Sequence, residues 1–367
     1  MRIVEVLFTL ESGGAERFVV DLSNELSKTN DVTLLTLKDD RQDSEKRNFY
    51  KFDLNDRVKY VNVGLSDRFG MNTLWSVYKA IKGLDPDVVH LNAKTSFQFC
   101  AIAILLMCNK VKFVETIHND LHNGYTTLPN KLMFNVFGRF KKMTYVALSA
   151  TNYEEMAHYY PYCKFELIVN GRAEIKPTKL FEAVWKEVDS YKKNKDTKIF
   201  LHIARCNSQK NQGLLVDSFN EFQRINGNAI LLIIGAGFDS QEGRILKEKA
   251  GENIHFLGTR TNVSDYMLCS DIFCLSSVFE GMPITLIEAS LAGVPCVSTP
   301  VCGSVDMIRN GVNGVLSKGF TVDEYVDALK AATLHFSELK KNAELLKENN
   351  PYTMEICAKK YIQVFKN

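Results

Sequence analysis

Short apolar segments alternate along the chain with longer segments whose apolar residues recur every three or four positions. The first apolar segment covers residues 2–8, and a helical pattern follows it after a loop at residues 9–14. Further segments typical of buried strands cover residues 32–37, 58–63, 87–91, 111–117 and 145–148. Because parallel strands need crossover helices between them, this alternation predicts an α/β fold with helices on both faces of a parallel sheet.

The same alternation restarts in the second half of the chain. The turn signal Asn170-Gly171 precedes a segment rich in Lys, Glu and Asp that runs to Lys198. Strand segments then recur at residues 199–204, 230–234, 254–256, 272–275 and 296–298. A chain of 367 residues exceeds the size at which one hydrophobic core keeps growing. We therefore predict two Rossmann-like, doubly wound domains, residues 1–172 and 173–351.

The composition is that of an ordinary globular protein, with 46% hydrophobic and 24% charged residues and a formal net charge of +2. This balance argues against a nucleic-acid-binding protein, which usually has a strong basic excess. The nine cysteines form no Cys-x-x-Cys pair, so reduced thiols are the simplest interpretation. The longest apolar run, residues 99–108, is too short for a membrane span of roughly 20 residues and indicates a buried helix. Since Glu5 also interrupts the first apolar segment, no secretory signal is predicted, and we expect a cytoplasmic protein.

Ligands of doubly wound sheets bind at the carboxyl ends of strands, so the loops after strands hold the candidate sites. The segment Glu280–Glu288 follows a strand and opens a helix, whose first residues Ile284, Thr285 and Leu286 would offer free N–H groups to a diphosphate. Glu288 would accept from vicinal hydroxyls, and Glu280 on the loop would reach a sugar. The alternative is a strand–turn–helix connection with ordinary caps.

Arg205 and Lys210 flank the end of another strand and the start of its helix. Their charges suit a diphosphate and the negative charge that develops as it leaves. A solvated basic pair is the alternative, and it becomes less favoured because both motifs occur in one domain.

The chain resembles family 4 of the glycosyltransferases, which are retaining enzymes of the GT-B fold. The resemblance spans nearly the whole sequence, and the ordered set of motifs is specific although each Gly-rich piece alone is weak. The matching segments are Gly13-Gly14-Ala15-Glu16-Arg17, His118-Asn119-Asp120, Ile168-Val169-Asn170-Gly171, Ala204-Arg205, Lys210-Asn211, Ile234-Gly235-Ala236-Gly237, Phe256-Leu257-Gly258, Ser270-Asp271, Glu280–Glu288 and Asn310-Gly311-x-x-Gly314.

The resemblance implies two domains facing a central cleft. Residues 1–172 would form the acceptor-side domain, residues 173–351 would bind the nucleotide sugar, and a last helix within 352–367 would return to the N-terminal domain. Arg205 and Lys210 would hold the donor diphosphate, Glu288 the ribose, and Glu280 the transferred sugar.

Further roles follow from the resemblance at five positions. Thr259 and Arg260 would line the base pocket, and His118 would contact the transferred sugar near the reacting centre. Gly13 and Gly14 would let their loop approach the donor, because side chains there would collide with it. The alternatives are a simple turn at the glycines and a core or capping role for His118.

The implied activity is transfer of a sugar from a nucleoside-diphosphate sugar, most simply a UDP-sugar, to a glycan or polyprenyl-diphosphate-linked glycan. No metal ion or cofactor is implied. Three other interpretations stay open: a nucleotide-sugar epimerase of the same fold, a non-catalytic subunit that binds a nucleotide or glycan, and a nicotinamide dehydrogenase. The dehydrogenase would want a third glycine, which the segment Gly235–Ser240 lacks.

Residues Lys131–Met143 form an amphipathic pattern, with Met133, Val136, Phe137, Phe140 and Met143 on one face and basic residues beside them. This pattern suits an anionic membrane surface, which lipid-linked acceptors would require at the inner face of the plasma membrane. The alternative is that the stripe packs on the sheet.

Two smaller features complete the set. Cys302-Gly303-Ser304 departs from the paired glycines of many relatives, which could alter the donor pocket. Asp85-Pro86-Asp87 resembles an acidic metal motif of another glycosyltransferase fold, but it precedes a strand and is interpreted as a turn.

Overall fold

The computed structural model describes residues 1–66, 69–92, 94–118, 128–140, 143–225 and 227–367. The chain divides into two compact units: an N-terminal unit of Met1–Ala173 with Tyr352–Asn367, and a C-terminal unit of Glu174–Pro351. The boundary expected between residues 172 and 173 lies one residue from this division.

The described part of the N-terminal unit has a parallel sheet of seven strands in the order β3-β2-β1-β4-β5-β6-β7. The strands are β1 Arg2–Leu7, β2 Asp31–Lys38, β3 Val58–Leu65, β4 Val88–Asn92, β5 Lys112–Ile117, β6 Thr144–Ala147 and β7 Lys164–Leu167. The helices are α1 Gly14–Leu26, α2 Ser44–Arg47, α3 Met71–Gly83, α4 Lys94–Phe99, α5 Ala101–Met107, α6 Leu128–Asn135, α7 Ala150–Tyr159 and α16 Met354–Lys366, with a 3₁₀ turn at Lys51–Asp53 and a π-turn at Val136–Phe140.

The last helix, α16, belongs to the N-terminal unit, as the resemblance described above implies. Arg172 and the segment before α16 exchange backbone hydrogen bonds, from Arg172 N to Tyr352 O and from Met354 N to Arg172 O, each 2.9 Å. A side chain at Gly171 would collide with Cys357 and the Thr353 carbonyl, so glycine is needed for this close approach.

The described part of the C-terminal unit has a second parallel sheet of six strands in the order β10-β9-β8-β11-β12-β13. The strands are β8 Lys198–Ile203, β9 Ala229–Ile234, β10 Ile254–Gly258, β11 Ile272–Leu275, β12 Cys296–Ser298 and β13 Gly314–Leu316. The helices are α8 Phe181–Ser190, α9 Gln212–Ile225, α10 Gln241–Lys249, α11 Val263–Leu268, α12 Ile284–Ala292, α13 Cys302–Met307, α14 Val322–Leu334 and α15 Phe336–Glu348.

Each sheet reverses its strand order once, between β1 and β4 in the first and between β8 and β11 in the second. The central strands are buried on both faces, which explains their almost continuous apolar sequences. Crevices at such reversal points are where doubly wound sheets bind ligands. The loops after these four strands are therefore the candidate positions of a ligand site.

Candidate functional site

The two motifs predicted to bind a diphosphate lie on neighbouring loops of the C-terminal unit. Strands β8 and β11 pair in parallel at the reversal point, and their carboxyl ends lead into residues 204–211 and 276–283. The first loop carries Arg205 and Lys210, and the second carries Glu280. The topology therefore brings together charges that are about 70 residues apart in sequence.

Lys210 and Glu280 form an ion pair between these loops. The ammonium of Lys210 contacts Glu280 Oε1, and the Ser277 hydroxyl donates to the same oxygen over 2.7 Å. Ser276 binds the opposite loop, since its hydroxyl donates to the Lys210 carbonyl oxygen over 2.8 Å. The Glu280 residue is only 8% exposed, so its negative charge is balanced almost entirely by these partners.

Further contacts hold the two loops in one conformation. The Val278 N–H donates to the Gln209 carbonyl over 2.8 Å, and the Gln209 side chain donates to the Phe279 carbonyl over 3.0 Å. Asn211 has φ +48°, a left-handed conformation that asparagine tolerates better than most residues, immediately before α9. The loops thus form a preorganised support for the charged side chains.

Arg205 differs from Lys210 in exposure and pairing. Its backbone is fixed because Gln212 Nε2 donates to the Arg205 carbonyl over 2.9 Å, while its side chain is exposed. The guanidinium has no ion-pair partner among the residues that the structure describes. It is therefore available to an anionic ligand beside the Lys210–Glu280 pair.

Helix α12 begins at Ile284 after the Gly281–Pro283 turn, and its first amides were predicted to be free. The N–H groups of Ile284 and Thr285 have no acceptor within the described ranges. The prediction is wrong for Leu286, because its N–H donates to the Pro283 carbonyl over 3.1 Å as the first turn tightens. Two amides, rather than three, are left for an anion, and the buried Glu288 lies one turn further along α12.

Thr259 and Arg260 follow β10, at the edge of the same sheet. Thr259 is exposed, whereas Arg260 Nε donates to the Tyr266 hydroxyl over 3.1 Å and its Nη2 lies 3.8 Å from Glu187. The Tyr266 hydroxyl and Glu187 raise the pKa of Arg260. Arg260 is thus a fixed cation, held by α8 and α11.

In the N-terminal unit, Gly13 and Gly14 end the loop after β1, and α1 starts at Gly14. Gly13 has φ −139° and ψ 160°, an extended conformation that any residue adopts. Arg17 of the same motif pairs with Asp21 at 3.1 Å and also contacts Asp53. The positive charge of Arg17 is therefore balanced by two carboxylates of the N-terminal unit.

His118 directly follows β5 and is partly buried. Its Nε2 lies 3.0 Å from Asn92 Oδ1 at the end of β4, and its ring packs edge-on against Phe18 with centroids 5.6 Å apart. Burial, with the charge of nearby His90 as a second cause, lowers the pKa of His118 to about 3. His118 is therefore a neutral imidazole at physiological pH. Its motif neighbours Asn119 and Asp120 lie outside the described residues.

Two protein-family models match the chain. Residues 12–172 match the model described as Glycosyltransferase Family 4, and residues 183–350 match the model described as Glycosyl transferases group 1.

Individual relatives agree with these matches. The UDP-Gal:alpha-D-GlcNAc-diphosphoundecaprenol alpha-1,3-galactosyltransferase of Escherichia coli is 24% identical, over 72% of this chain and 70% of that protein. An alpha-1,4-N-acetyl-D-galactosaminyltransferase of Campylobacter jejuni, named for a PP-undecaprenol-linked glycan, is 25% identical over 86% of this chain and 84% of that protein. The crystal structure of Anabaena HepE in complex with UDP and glucose superposes with a TM-score of 0.80 at 17% identity, covering 100% of this chain and 99% of that chain.

The chain belongs to glycosyltransferase family 4. It has the GT-B fold, which HepE shares, and it is a glycosyltransferase. This assignment replaces the epimerase, dehydrogenase and non-catalytic interpretations that the sequence left open.

In this glycosyltransferase the segment Gly235-Ala236-Gly237 allows the loop after β9 to pack closely against the loop after β8. Gly235 has φ +157°, and a Cβ there would overlap the Ala204 carbonyl. Gly237 has φ +90° and lies against the backbone of Cys206, whose N–H donates to the Ala236 carbonyl over 2.8 Å. These glycines let the backbone on both sides of Arg205, at Ala204 and Cys206, approach the loop after β9 closely.

The departure Cys302-Gly303-Ser304 keeps the one glycine that the fold needs there. A Cβ at Gly303 would collide with Pro283, Met282 and the Gly281 carbonyl. Ser304 is fixed by a 2.8 Å hydrogen bond from the Ser298 hydroxyl. Helix α13 therefore packs directly against the turn that starts α12.

The apolar stripe of Lys131–Met143 packs into the core of the N-terminal unit. Phe137 and Met143 are buried, Met133 and Val136 pack against the same core, and Phe140 alone of the five predicted positions is exposed, at 69%. Most of the predicted membrane-facing stripe is therefore buried, and of its five positions only Phe140 is placed to meet a lipid surface. Lys141 and Lys142 lie outside the described residues.

The acidic pair Asp85 and Asp87 lies in the loop before β4 and binds Arg2. Asp87 accepts from the Arg2 N–H over 2.7 Å, and this hydrogen bond lowers the pKa of Asp87. Asp85 contacts the Arg2 guanidinium as well. Both carboxylates thus anchor the start of β1.

Two features are absent from the described ranges: a cluster of metal-binding side chains and a membrane-spanning helix. No group of three or more His, Cys, Asp and Glu side chains in them is arranged to hold a metal ion. No helix in the described part of the chain has both the length and the hydropathy of a membrane span.

Sequence reasoning missed the polar residues that support His118. Glu5, His90 and Asn92 are fully buried on β1 and β4 and lie in contact with one another. A usable signal was present, because charged and amide side chains inside strands buried on both faces must find partners there.

Proposed function

We propose that this glycosyltransferase transfers a sugar from a UDP-sugar to a glycan or polyprenyl-diphosphate-linked glycan, with retention of anomeric configuration. This sugar transfer would take place at the cytoplasmic face of the membrane, during synthesis of a cell-surface polysaccharide. The donor and acceptor named for the Escherichia coli relative support this proposal, as does the undecaprenol-linked glycan in the name of the Campylobacter relative.

The observation that carries the proposal is the cluster of positive groups at the β8–β11 reversal point. The exposed Arg205 guanidinium, the Lys210 ammonium and the free amides of Ile284 and Thr285 all lie on the loops leaving these two strands. A helix N-terminus with two nearby cations is a typical diphosphate site. Lys210 has three N–H donors, so it can keep Glu280 and still bind a phosphate oxygen.

The remaining residues are assigned to the other parts of the donor. Glu288 on α12 would accept from the ribose hydroxyls, and Glu280 and His118 would contact the transferred sugar. Thr259 and Arg260 would face the base, with Arg260 held in place by Tyr266.

Gly13 supports the assignment of its loop to the donor. The backbone of Gly13 is extended, a conformation that does not itself require glycine. We therefore attribute the absence of a side chain at this position to close approach by a ligand. The Glu16 carboxylate is close to the position of a Cβ, but it ends a flexible side chain that can turn away. We therefore assign Gly13 and Gly14 to close approach by the donor sugar or phosphate.

The reaction we propose needs no nucleophile from the protein. The bond from the sugar C1 to the phosphate oxygen breaks, and the acceptor oxygen bonds to C1 from the same face. The acceptor proton passes to the leaving phosphate. Arg205, Lys210 and the two amides stabilise the charge that grows on the diphosphate, and the loops supply positioning. Nothing in this scheme requires a metal ion or an organic cofactor.

The test is a panel of nucleoside diphosphates and their sugars, scored by thermal stabilisation and donor hydrolysis. A ligand at 100 times its dissociation constant should add about 2.7 kcal/mol to the free energy of unfolding. Stabilisation by UDP and hydrolysis of one UDP-sugar are expected. A response only to another base would overturn the UDP assignment.

Two variants separate ribose recognition from sugar recognition in the same assay. Glu288→Ala should weaken UDP binding by about 10- to 150-fold, since hydrogen bonds to a charged group contribute about 1.5–3 kcal/mol. Glu280→Ala should leave UDP affinity unchanged, because its loss frees Lys210 for phosphate, and should abolish transfer. Equal loss of UDP affinity in both variants would contradict these assignments.

A further inference from the structure

A continuous set of polar side chains runs through the core of the N-terminal unit behind His118. Asn92 Nδ2 donates to Glu5 Oε2 over 3.0 Å, and Asn92 Oδ1 lies 3.0 Å from His118 Nε2. On the other side, His90 Nδ1 lies 2.7 Å from the same Glu5 oxygen. Glu5, His90 and Asn92 have no exposed surface. Asn92 thus bridges Glu5 and His118 by hydrogen bonds, whereas Glu5 Oε1 and His90 Nδ1 have no hydrogen-bond partner in the described part of the chain.

The pairing of the strands explains this contact set. Glu5 on β1 is the register partner of His90 on β4, and Asn92 on β4 is the partner of Thr116 on β5. His118 follows β5, two residues beyond Thr116. The side chains of three neighbouring strands therefore converge at the carboxyl ends of β4 and β5.

The chemistry of these contacts fixes the orientation of the Asn92 amide. Glu5 Oε2 accepts the hydrogen bond from Asn92 Nδ2. His90 Nδ1 lies 2.7 Å from the same oxygen without the geometry of a hydrogen bond. Turning the amide over would place its oxygen against the carboxylate oxygen, which puts two acceptors in contact. Asn92 therefore presents its nitrogen to Glu5 and its oxygen to His118.

The orientation of Asn92 in turn fixes the proton on His118. An amide oxygen only accepts, so His118 Nε2 must donate and must carry the proton. Burial keeps the imidazole neutral by lowering its pKa to about 3, so the second nitrogen, Nδ1, has a lone pair. Nδ1 makes no hydrogen bond to any part of the chain that the structure describes.

We propose that Asn92 and Glu5 are positioning residues that hold His118 in the Nε2–H tautomer, so that Nδ1 accepts a hydrogen bond from a hydroxyl of the transferred sugar. The sugar contact rests on the proposed function, whereas the tautomer does not. An acceptor at this place selects donors that carry the hydroxyl, because a donor without it would leave Nδ1 unpaired.

The far end of the contact set supplies a matched control. His90 Nε2 lies 2.7 Å from the Thr116 hydroxyl, which lies 2.7 Å from the Tyr361 hydroxyl on α16. Tyr361→Phe removes that last hydroxyl and leaves the Glu5, Asn92 and His118 contacts in place. Asn92→Ala removes the group that we hold responsible for the tautomer.

The experiment is nitrogen NMR on the full chain with ¹⁵N-labelled histidine, at neutral pH and without donor. Two-bond proton–nitrogen correlations identify which imidazole nitrogen carries the proton, and His118→Gln assigns the signal among the seven histidines. The wild type and Tyr361→Phe should show His118 protonated on Nε2. Asn92→Ala should show a mixture of the two tautomers.

The wild-type spectrum alone can overturn the proposal, even if Asn92→Ala does not fold. A proton on Nδ1 in the wild type, or an unchanged tautomer in a folded Asn92→Ala protein, would remove the positioning role. Neither result depends on what the enzyme transfers.

A kinetic measurement tests the sugar contact. Asn92→Ala should lower kcat about 3- to 10-fold, the value of one neutral hydrogen bond, and leave UDP affinity unchanged. It should also reduce the preference for the full donor over the deoxy donor that lacks the contacted hydroxyl. A folded variant with an undiminished kcat and preference would overturn the sugar contact. The Nε2–H tautomer without transfer of any sugar in the panel would contradict the proposed function instead.

Discussion

The two units carry their candidate site residues in different ways. In the C-terminal unit, Arg205, Lys210 and Glu280 stand on loops after strands and are charged. In the N-terminal unit, the groups around His118 stand on the strands themselves and are buried. Loop charges can bind a diphosphate from solvent, whereas buried polar groups can only orient one another. The difference indicates a site of charge stabilisation in one unit and a site of geometric control in the other.

Burial lowers the pKa of at least one histidine in each unit. His118 in the N-terminal unit is held neutral by a pKa of about 3, and in the C-terminal unit burial lowers the pKa of His202 to about 4. His202 Nδ1 lies 2.9 Å from the Cys274 carbonyl and thus fixes β8 against β11. His202 lies within β8 and has no exposed surface, whereas His118 lies in the loop after β5 and is partly exposed. Of these two neutral histidines, only His118 is placed to contact a ligand.

The largest effect that would test the comparison is loss of a cation in the C-terminal unit. Arg205→Ala and Lys210→Ala should each cost about 2–4 kcal/mol of transition-state stabilisation. That corresponds to about a 30- to 900-fold fall in kcat/KM, measured with the donor found in the panel. Lys210→Ala should also lower Tm, because it leaves the buried Glu280 unpaired, whereas the exposed Arg205 can be removed without that cost.

The control for both variants is Lys249→Ala. Lys249 is exposed and lies 3.4 Å from Asp217 on the surface of the same unit, so transfer and Tm should both stay close to wild type. Near-wild-type kcat/KM in both Arg205→Ala and Lys210→Ala would show that the diphosphate binds elsewhere.

A smaller effect separates glycines that serve the fold from those assigned to the donor. Gly235→Ala should lower the free energy of unfolding by about 1–3 kcal/mol, because the new Cβ overlaps the Ala204 carbonyl at a positive φ. Gly13→Ala should change it by less than about 0.5 kcal/mol, since its backbone is extended. Denaturant unfolding of both variants provides the measurement.

Donor affinity should distinguish Gly13→Ala from Gly235→Ala in the opposite order to stability. Folded Gly13→Ala should lose donor affinity, because its methyl group meets the incoming sugar or phosphate. If Gly13→Ala is the less stable variant and binds the donor normally, the glycine belongs to the fold, and its assignment to the donor is wrong.

Much of the fold could be predicted from the sequence because buried strands and crossover helices have distinct periodicities. Strand β11 has the predicted bounds, and β8 differs from its prediction by a single residue at each end. The three-residue strand β13 was missed, since Gly314–Leu316 is too short to show a period. The run 99–108 was predicted as a buried helix, yet α5 exposes Leu105 and Leu106. An all-apolar segment does not reveal which face meets solvent.

The candidate site could be predicted only in part, for a related reason. Motifs identified the loops of Arg205 and Glu280, but the contact of Glu280 with Lys210 depends on the bonds from Gln209 and Ser277 that shape both loops. The support for His118 is formed by register across three strands, which no local pattern encodes. Interactions between distant segments were therefore the part that needed the structure.

The smallest expected effect concerns the surface of the N-terminal unit, where we expect at most weak contact with anionic lipid. Only the end of the Lys131–Met143 segment is available for it: Phe140 is 69% exposed, and the Arg139 guanidinium lies 4.9 Å from the Tyr162 ring centroid. One cation near an anionic surface contributes about 1 kcal/mol, so Arg139→Glu should lower vesicle partitioning about fivefold or more. Co-sedimentation with anionic vesicles at low and physiological salt measures this partitioning, and binding should weaken as the salt concentration rises.

The control variant is Lys28→Glu, which changes an exposed cation beside Glu25 and should bind vesicles like the wild type. Equal and negligible binding of all three proteins would mean that the segment serves the core alone, and an acceptor free in solution would then be as well supported as a lipid-linked one.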